Sequence, residues 1–111
     1  MSAPPIVRPT PRAEWTPLPR QGCVGVLARV LLNRRGVVVA NLMFAAHASI
    51  DEHAAPYEID VVCVQGEGFV SVGDAVSRLR AGECVTWPSG LTHRLWTEDK
   101  VMETLMVEHH I

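Results

Sequence analysis

No basic excess, no paired cysteines and no long apolar run are found in this chain. The formal net charge is -2 and the pI about 6.2, so no charged face is expected that could neutralise a run of phosphates, and nucleic acid is excluded as a partner. A small neutral or anionic metabolite suits such a surface better. Cys23, Cys63 and Cys84 are odd in number and form no Cys-x-x-Cys pair, which argues against a disulfide framework and against a structural zinc site. The first residues, Met1-Ser2-Ala3-Pro4-Pro5, contain no apolar run of signal-peptide length, and no stretch reaches the roughly 20 uninterrupted apolar residues needed to cross a membrane. The expectation is a soluble, cytoplasmic protein with no membrane contact. Helical periodicity is weak and no internal repeat is visible. No glycine loop leads into a helix as a phosphate cradle requires, and no serine sits in a nucleophile-elbow pattern. Asp51-Glu52 and the nearby Glu58 and Asp60 bear no mark of a glycosidase pair.

Proline is plentiful in one place only. Six of the eight prolines precede residue 20, and a segment so poor in backbone donors can be neither a helix nor a central strand. Residues 1–20 read as a proline-rich arm and residues 21–111 as one domain with one core, all that 111 residues can support. Ile6, Val7, Trp15 and Leu18 imply that part of the arm packs on its own domain or on a partner subunit. Beyond the arm, valine-rich runs are broken by turn residues every eight to twelve positions, the rhythm of an antiparallel sandwich or barrel. Eight strands are expected: 24–32, 37–46, 59–64, 69–72, 75–79, 84–87, 92–96 and 101–108. Asn33-Arg34-Arg35-Gly36 joins the first two, with Asn33 and Gly36 supplying left-handed conformations. Gln65-Gly66-Glu67-Gly68 is expected to turn between the third and fourth, and Gly73-Asp74 forms a two-residue hairpin. The fold class is therefore all-β, an antiparallel double-sheet barrel behind an extended arm.

Two glycine-and-histidine signatures, ending at Gly66 and beginning at Gly82, carry the functional signal. The second runs Gly82, five residues, Pro88-Ser89-Gly90, two residues, His93, with Thr97 where an asparagine is usual. The first has His47, His53, Ala55, Ile59 and Gly66 at the spacing of glycine, His-x-His, glutamate and glycine. Together they resemble the paired motifs of a small single-domain cupin of the conserved-barrel, RmlC-like jelly-roll kind. In that family the two histidines and glutamate of the first motif and the histidine of the second converge on a divalent metal. Carried over by position, these are His53, Ala55, Ile59 and His93. Two of the four positions thus hold groups with no lone pair, and a metal with two protein ligands is held weakly.

Strand alternation puts His53, Ala55, Tyr57 and Ile59 on one face and Glu52, Ala54 and Glu58 on the other. A bulge near Pro56 would turn Glu58 inward as a third ligand. His47, six residues before His53, is too far along an extended strand to join it. The expected pocket wall is apolar, from Ile59, Val61, Cys63, Leu95 and Tyr57, with His53 and His93 as polar anchors. Such a wall suits a compact organic ligand. Cys63 and Cys84 read as small hydrophobes, and Gly82, Trp87, Pro88 and Gly90 as turn and packing residues.

The leading expectation is a cupin that binds a small molecule through a degenerate metal site. The alternative is a metal-dependent oxygenase or isomerase using Glu58, with zinc, nickel, manganese, iron or copper as the metal. A homodimer is expected in either case, because the arm and an apolar terminal strand, Val101 to Val107, would need cover.

Overall fold

The computed structural model describes residues 3–111, and among them every regular element is a strand. β1 spans Arg12–Pro17, β2 Cys23–Arg34, β3 Val37–Ala54 and β4 Glu58–Val72. β5 covers Ala75–Arg80, β6 Cys84–Trp87, β7 Thr92–Trp96 and β8 Met102–His109. All pairings are antiparallel.

Two long strands tie two layers together. The first half of β3 pairs with β8 from Val37 to Phe44, and its second half pairs with β7 from Ser49 to Ala54. β4 divides in the same way, meeting β6 and β8 before Gly66 and β5 and β7 beyond it. One layer is therefore β1-β2-β3-β8-β4-β6 and the other β3-β7-β4-β5, an all-β jelly roll. Side chains alternate, so Leu42, Ile59, Val61, Trp87 and Met106 from one layer meet Ile50, Val70, Leu79 and Leu95 from the other in a single core.

The count of eight strands is reached by a different route from the one expected. Gln65 to Gly68 is no turn: β4 runs through it without a break, bending at an irregularity between Cys63 and Gln65. Glycine is needed there for approach rather than for reversal. Gly66 has φ +75, and a Cβ would lie 2.0 Å from the Val101 carbonyl oxygen. The expected third and fourth strands thus merge, and the arm supplies the missing one as β1, which pairs only with β2 at the sheet edge. An edge position tolerates proline, since the missing donor faces outward. The first hairpin also differs, because Arg35 (φ 53) and Gly36 (φ 78) take the left-handed conformations while Asn33 stays in the ladder opposite Val38.

β3 continues eight residues past its expected end because a bend at His47 (φ 57) keeps it in pairing. The His47 amide donates to the Glu98 carbonyl at 2.7 Å. Thr97, buried, donates its hydroxyl to the Ala45 carbonyl at 2.5 Å and accepts from the Ala48 amide at 3.0 Å. The hydroxyl does the work of tying β7 to the bend. β8 is not an edge, being flanked by β3 and β4, so the need for cover argued from Val101 to Val107 is already met within the chain. In the arm, Trp15 lies under the Arg29 guanidinium at 4.4 Å and Leu18 packs on the core, while Ile6 and Val7 are 86% and 91% exposed.

Candidate functional site

The register of β3 on β7 sets His53 directly opposite His93. That pairing follows from the second signature. The Gly90 amide donates to the Ala55 carbonyl at 2.8 Å, so the Pro88-Ser89-Gly90 turn delivers β7 against the end of β3. The two imidazoles meet with Nε2 atoms 3.1 Å apart and ring centroids 4.4 Å apart in an edge arrangement. His93 also stacks on Trp87 at 3.8 Å and 10°.

The hydrogen-bond partners assign the protons. His53 Nδ1 lies 2.9 Å from the Asp51 carbonyl oxygen, which can only accept, so Nδ1 carries the proton and Nε2 offers a lone pair. That lone pair accepts from Arg20 Nη1 at 2.5 Å. His93 then donates from Nε2 to the same lone pair, which it shares with Arg20 as a bifurcated acceptor. Its Nδ1 is left buried and unpartnered, as are Trp87 Nε1 and Thr104 Oγ1. Burial, reinforced by His53 and opposed by the Leu91 backbone, brings the His93 pKa down from 6.5 to about 4. At neutral pH His93 is an uncharged imidazole.

Beside this pair a slot of about 180 Å³ opens between the layers. Its buried wall is Leu42, Ile50, Ala55, Ile59, Trp87 and Met106, and its more exposed wall carries Arg12, Thr16, Arg20, His53, Tyr57 and Glu108. Burial, and secondarily the neighbouring Glu108, pushes the Tyr57 hydroxyl above its usual pKa. Roomier depressions lie outside the barrel, one against Leu27, Met43 and Val101, one beneath the arm from Ile6 to Pro11 and one against Val70, Leu79 and Cys84. None of these three has a histidine, and the chemistry is concentrated in the slot.

His53, Tyr57 and Ile59 line this slot together with Ala55. His93 stands behind His53 at 1% exposure, and Cys63 and Leu95 are buried in the core without lining the slot. Glu58 is exposed, on the outer face opposite His109 in the ladder. No bulge turns it inward. His47 is exposed at its bend, away from the pair. Three charged contributors escape the sequence reading: Arg12 and Arg20 from the arm, and Glu108 from β8. Inward alternation on β8 would have pointed to Glu108, since it follows Thr104 and Met106 on the same face, but nothing local announces that the arm closes the slot.

The donor set does not fit a divalent metal. Two imidazole nitrogens converge, yet the neighbouring positions are Ala55 and Ile59, Glu58 faces outward, and a guanidinium lies on the His53 lone pair. Among the described residues no three His, Cys, Asp or Glu side chains are grouped to hold an ion. A cation already stands at the edge of the pair, and it belongs to the protein.

The same architecture recurs among solved structures. A polyketide cyclase, RemF, from Streptomyces resistomycificus aligns with TM-score 0.82 over 96% of this chain and 79% of its own, at 17% identity. A cupin-2 domain from Rhodospirillum rubrum gives 0.78 over 92% and 77%, at 18% identity. An RmlC-like cupin from Shewanella frigidimarina gives 0.70 over 77% of each chain, at 19% identity. Likeness at these identities is likeness of fold. No curated protein matches by sequence. The cupin domain profile matches residues 41–108, which contain both glycine-histidine signatures and the opposed pair they build, and the chain accordingly belongs to the cupin domain family.

Proposed function

We propose that this protein binds a small organic molecule in the slot between its layers, with His53, backed by the buried His93, as a polar edge and no resident metal. The observation that carries the reading is the slot itself: an apolar wall from both layers, closed on one side by convergent polar groups, which is the build of a ligand pocket. At about 180 Å³ it exceeds only modestly the roughly 150 Å³ apolar cavity that accommodates benzene in another protein. The occupant is a single ring or a short acyl group. The alternative of a metal-dependent oxygenase or isomerase asks Glu58 for a third ligand, and the outward, exposed position of Glu58 disfavours it.

The test is a titration of single-ring compounds against protein carrying ¹³C-labelled methyl groups. Saturable shifts at Leu42, Ile50, Ile59 and Met106, abolished when Ala40→Phe fills the slot, are expected. Shifts confined to Leu27, Met43 and Val101 outside the barrel, or none at all, would overturn the proposal.

A further inference from the structure

Resting on that pocket reading, we infer that the occupant is a small ring-bearing monoanion, a carboxylate in the simplest case, whose charge lies against the Arg20 guanidinium. The slot carries two guanidiniums, Arg12 and Arg20, and among the described residues neither has a carboxylate within ion-pairing distance. The one carboxylate that lines it, Glu108, is engaged by His110 Nε2 at 2.8 Å. Two guanidiniums against one carboxylate leave the charge facing the slot net positive.

Arg20 spends one N–H on the neutral lone pair of His53, a partner that an oxyanion would outcompete because hydrogen bonds between charged groups are the stronger kind. A guanidinium presents five donors in a planar fork and takes a carboxylate with two at once. Displaced by that oxyanion, the imidazoles keep their own mutual contact. The buried wall supplies a second signal. Trp87 Nε1, in a residue 1% exposed that lines the slot, is a donor with no acceptor. Buried donors are rarely left unpaired, and an acceptor on the bound molecule would satisfy it. The apolar residues Ile59, Trp87 and Met106 then take the ring.

Benzoate and its neutral counterpart benzyl alcohol are the probes, titrated by calorimetry and methyl shifts against the full chain at pH 7. Benzoate is expected to bind at least about tenfold more tightly than benzyl alcohol. Arg20→Gln is expected to bring benzoate down to the benzyl alcohol level with the melting temperature unchanged, and Arg20→Lys to recover part of the difference. Equal binding of the two probes at the slot methyls would overturn the anion assignment, and a benzoate preference that survives Arg20→Gln would overturn the placement of its charge on Arg20; either result leaves the pocket standing. Failure of both probes to shift any slot methyl would overturn the pocket and this inference together.

Discussion

Acidification from pH 7 to pH 5 should weaken the fold, and His93 should be the cause. Its pKa stands at about 4 in the folded chain against an ordinary 6.5. Above 6.5 the ring is neutral in both states, and the folded state keeps its full advantage. As the pH falls below 6.5 the unfolded chain takes up a proton that the folded chain refuses, so stability is lost progressively until about pH 4. At roughly 1.4 kcal/mol per tenfold change in proton affinity, the whole window amounts to about 3 kcal/mol, of which about 2 kcal/mol is gone at pH 5. Asp60, held below its usual pKa by Thr86 and then His109, acts lower still and leaves pH 5 clear. Urea unfolding followed by circular dichroism measures the loss. The decisive comparison is His93→Phe, which keeps a ring on Trp87 and discards only a donor to His53, whose lone pair still has Arg20. That variant should lie within about 1 kcal/mol of the parent at pH 7 and be the more stable of the two at pH 5. Equal losses in parent and variant between pH 7 and pH 5 would refute the reasoning.

Four further outcomes follow from the same geometry. Gly66→Ala should unfold the protein or cost more than about 3 kcal/mol in urea melts, because the new methyl meets the Val101 carbonyl, whereas Gly73→Ala, with open space around it, should cost only the backbone strain of about 1–2 kcal/mol. His47→Gly should stabilise by about 0.5–1 kcal/mol, since an exposed side chain there holds φ at 57 with nothing to show for it; a loss of stability would show an unrecognised contact. Ala55→His with Ile59→Glu should create a Zn²⁺-dependent rise in melting temperature, larger when Arg20→Ala removes the competing guanidinium from His53, and no rise in either background would mean that these positions do not converge. A homodimer is expected to cover Ile6 and Val7, and deletion of residues 3–11 should reduce the sedimenting mass to a monomer; a parent chain monomeric at micromolar concentration would reject this.

Much of the fold was legible because its signals are local. Valine-rich alternation and the Gly73-Asp74 hairpin report neighbouring residues, and so does the Gly82 to His93 turn that opposes His93 to His53. The misreadings share one physical cause, that a glycine or proline does not say why it is there. Gly66 and Gly68 look like a reversal, yet a strand bending past the Val101 and Trp96 carbonyls needs them just as much. The prolines of the arm forbid a central strand and permit an edge strand, and β1 is one. At the site, alternation from His53 to Ile59 placed Tyr57 toward the slot and Glu58 away from it. The contribution of Arg20 was beyond reach, because its contact with His53 spans 33 residues and depends on how the arm crosses the barrel mouth.

The most direct test of a pocket anchored by imidazoles and a guanidinium, without a metal, is long-range ¹H–¹⁵N spectroscopy of the histidine rings at pH 7 with Zn²⁺ added to one equivalent. His53 is expected to be protonated at Nδ1 and His93 at Nε2, with no change at either Nε2 on adding the ion. Zn²⁺-induced shifts at both Nε2 atoms at that stoichiometry, lost on replacing either histidine, would contradict the metal-free pocket.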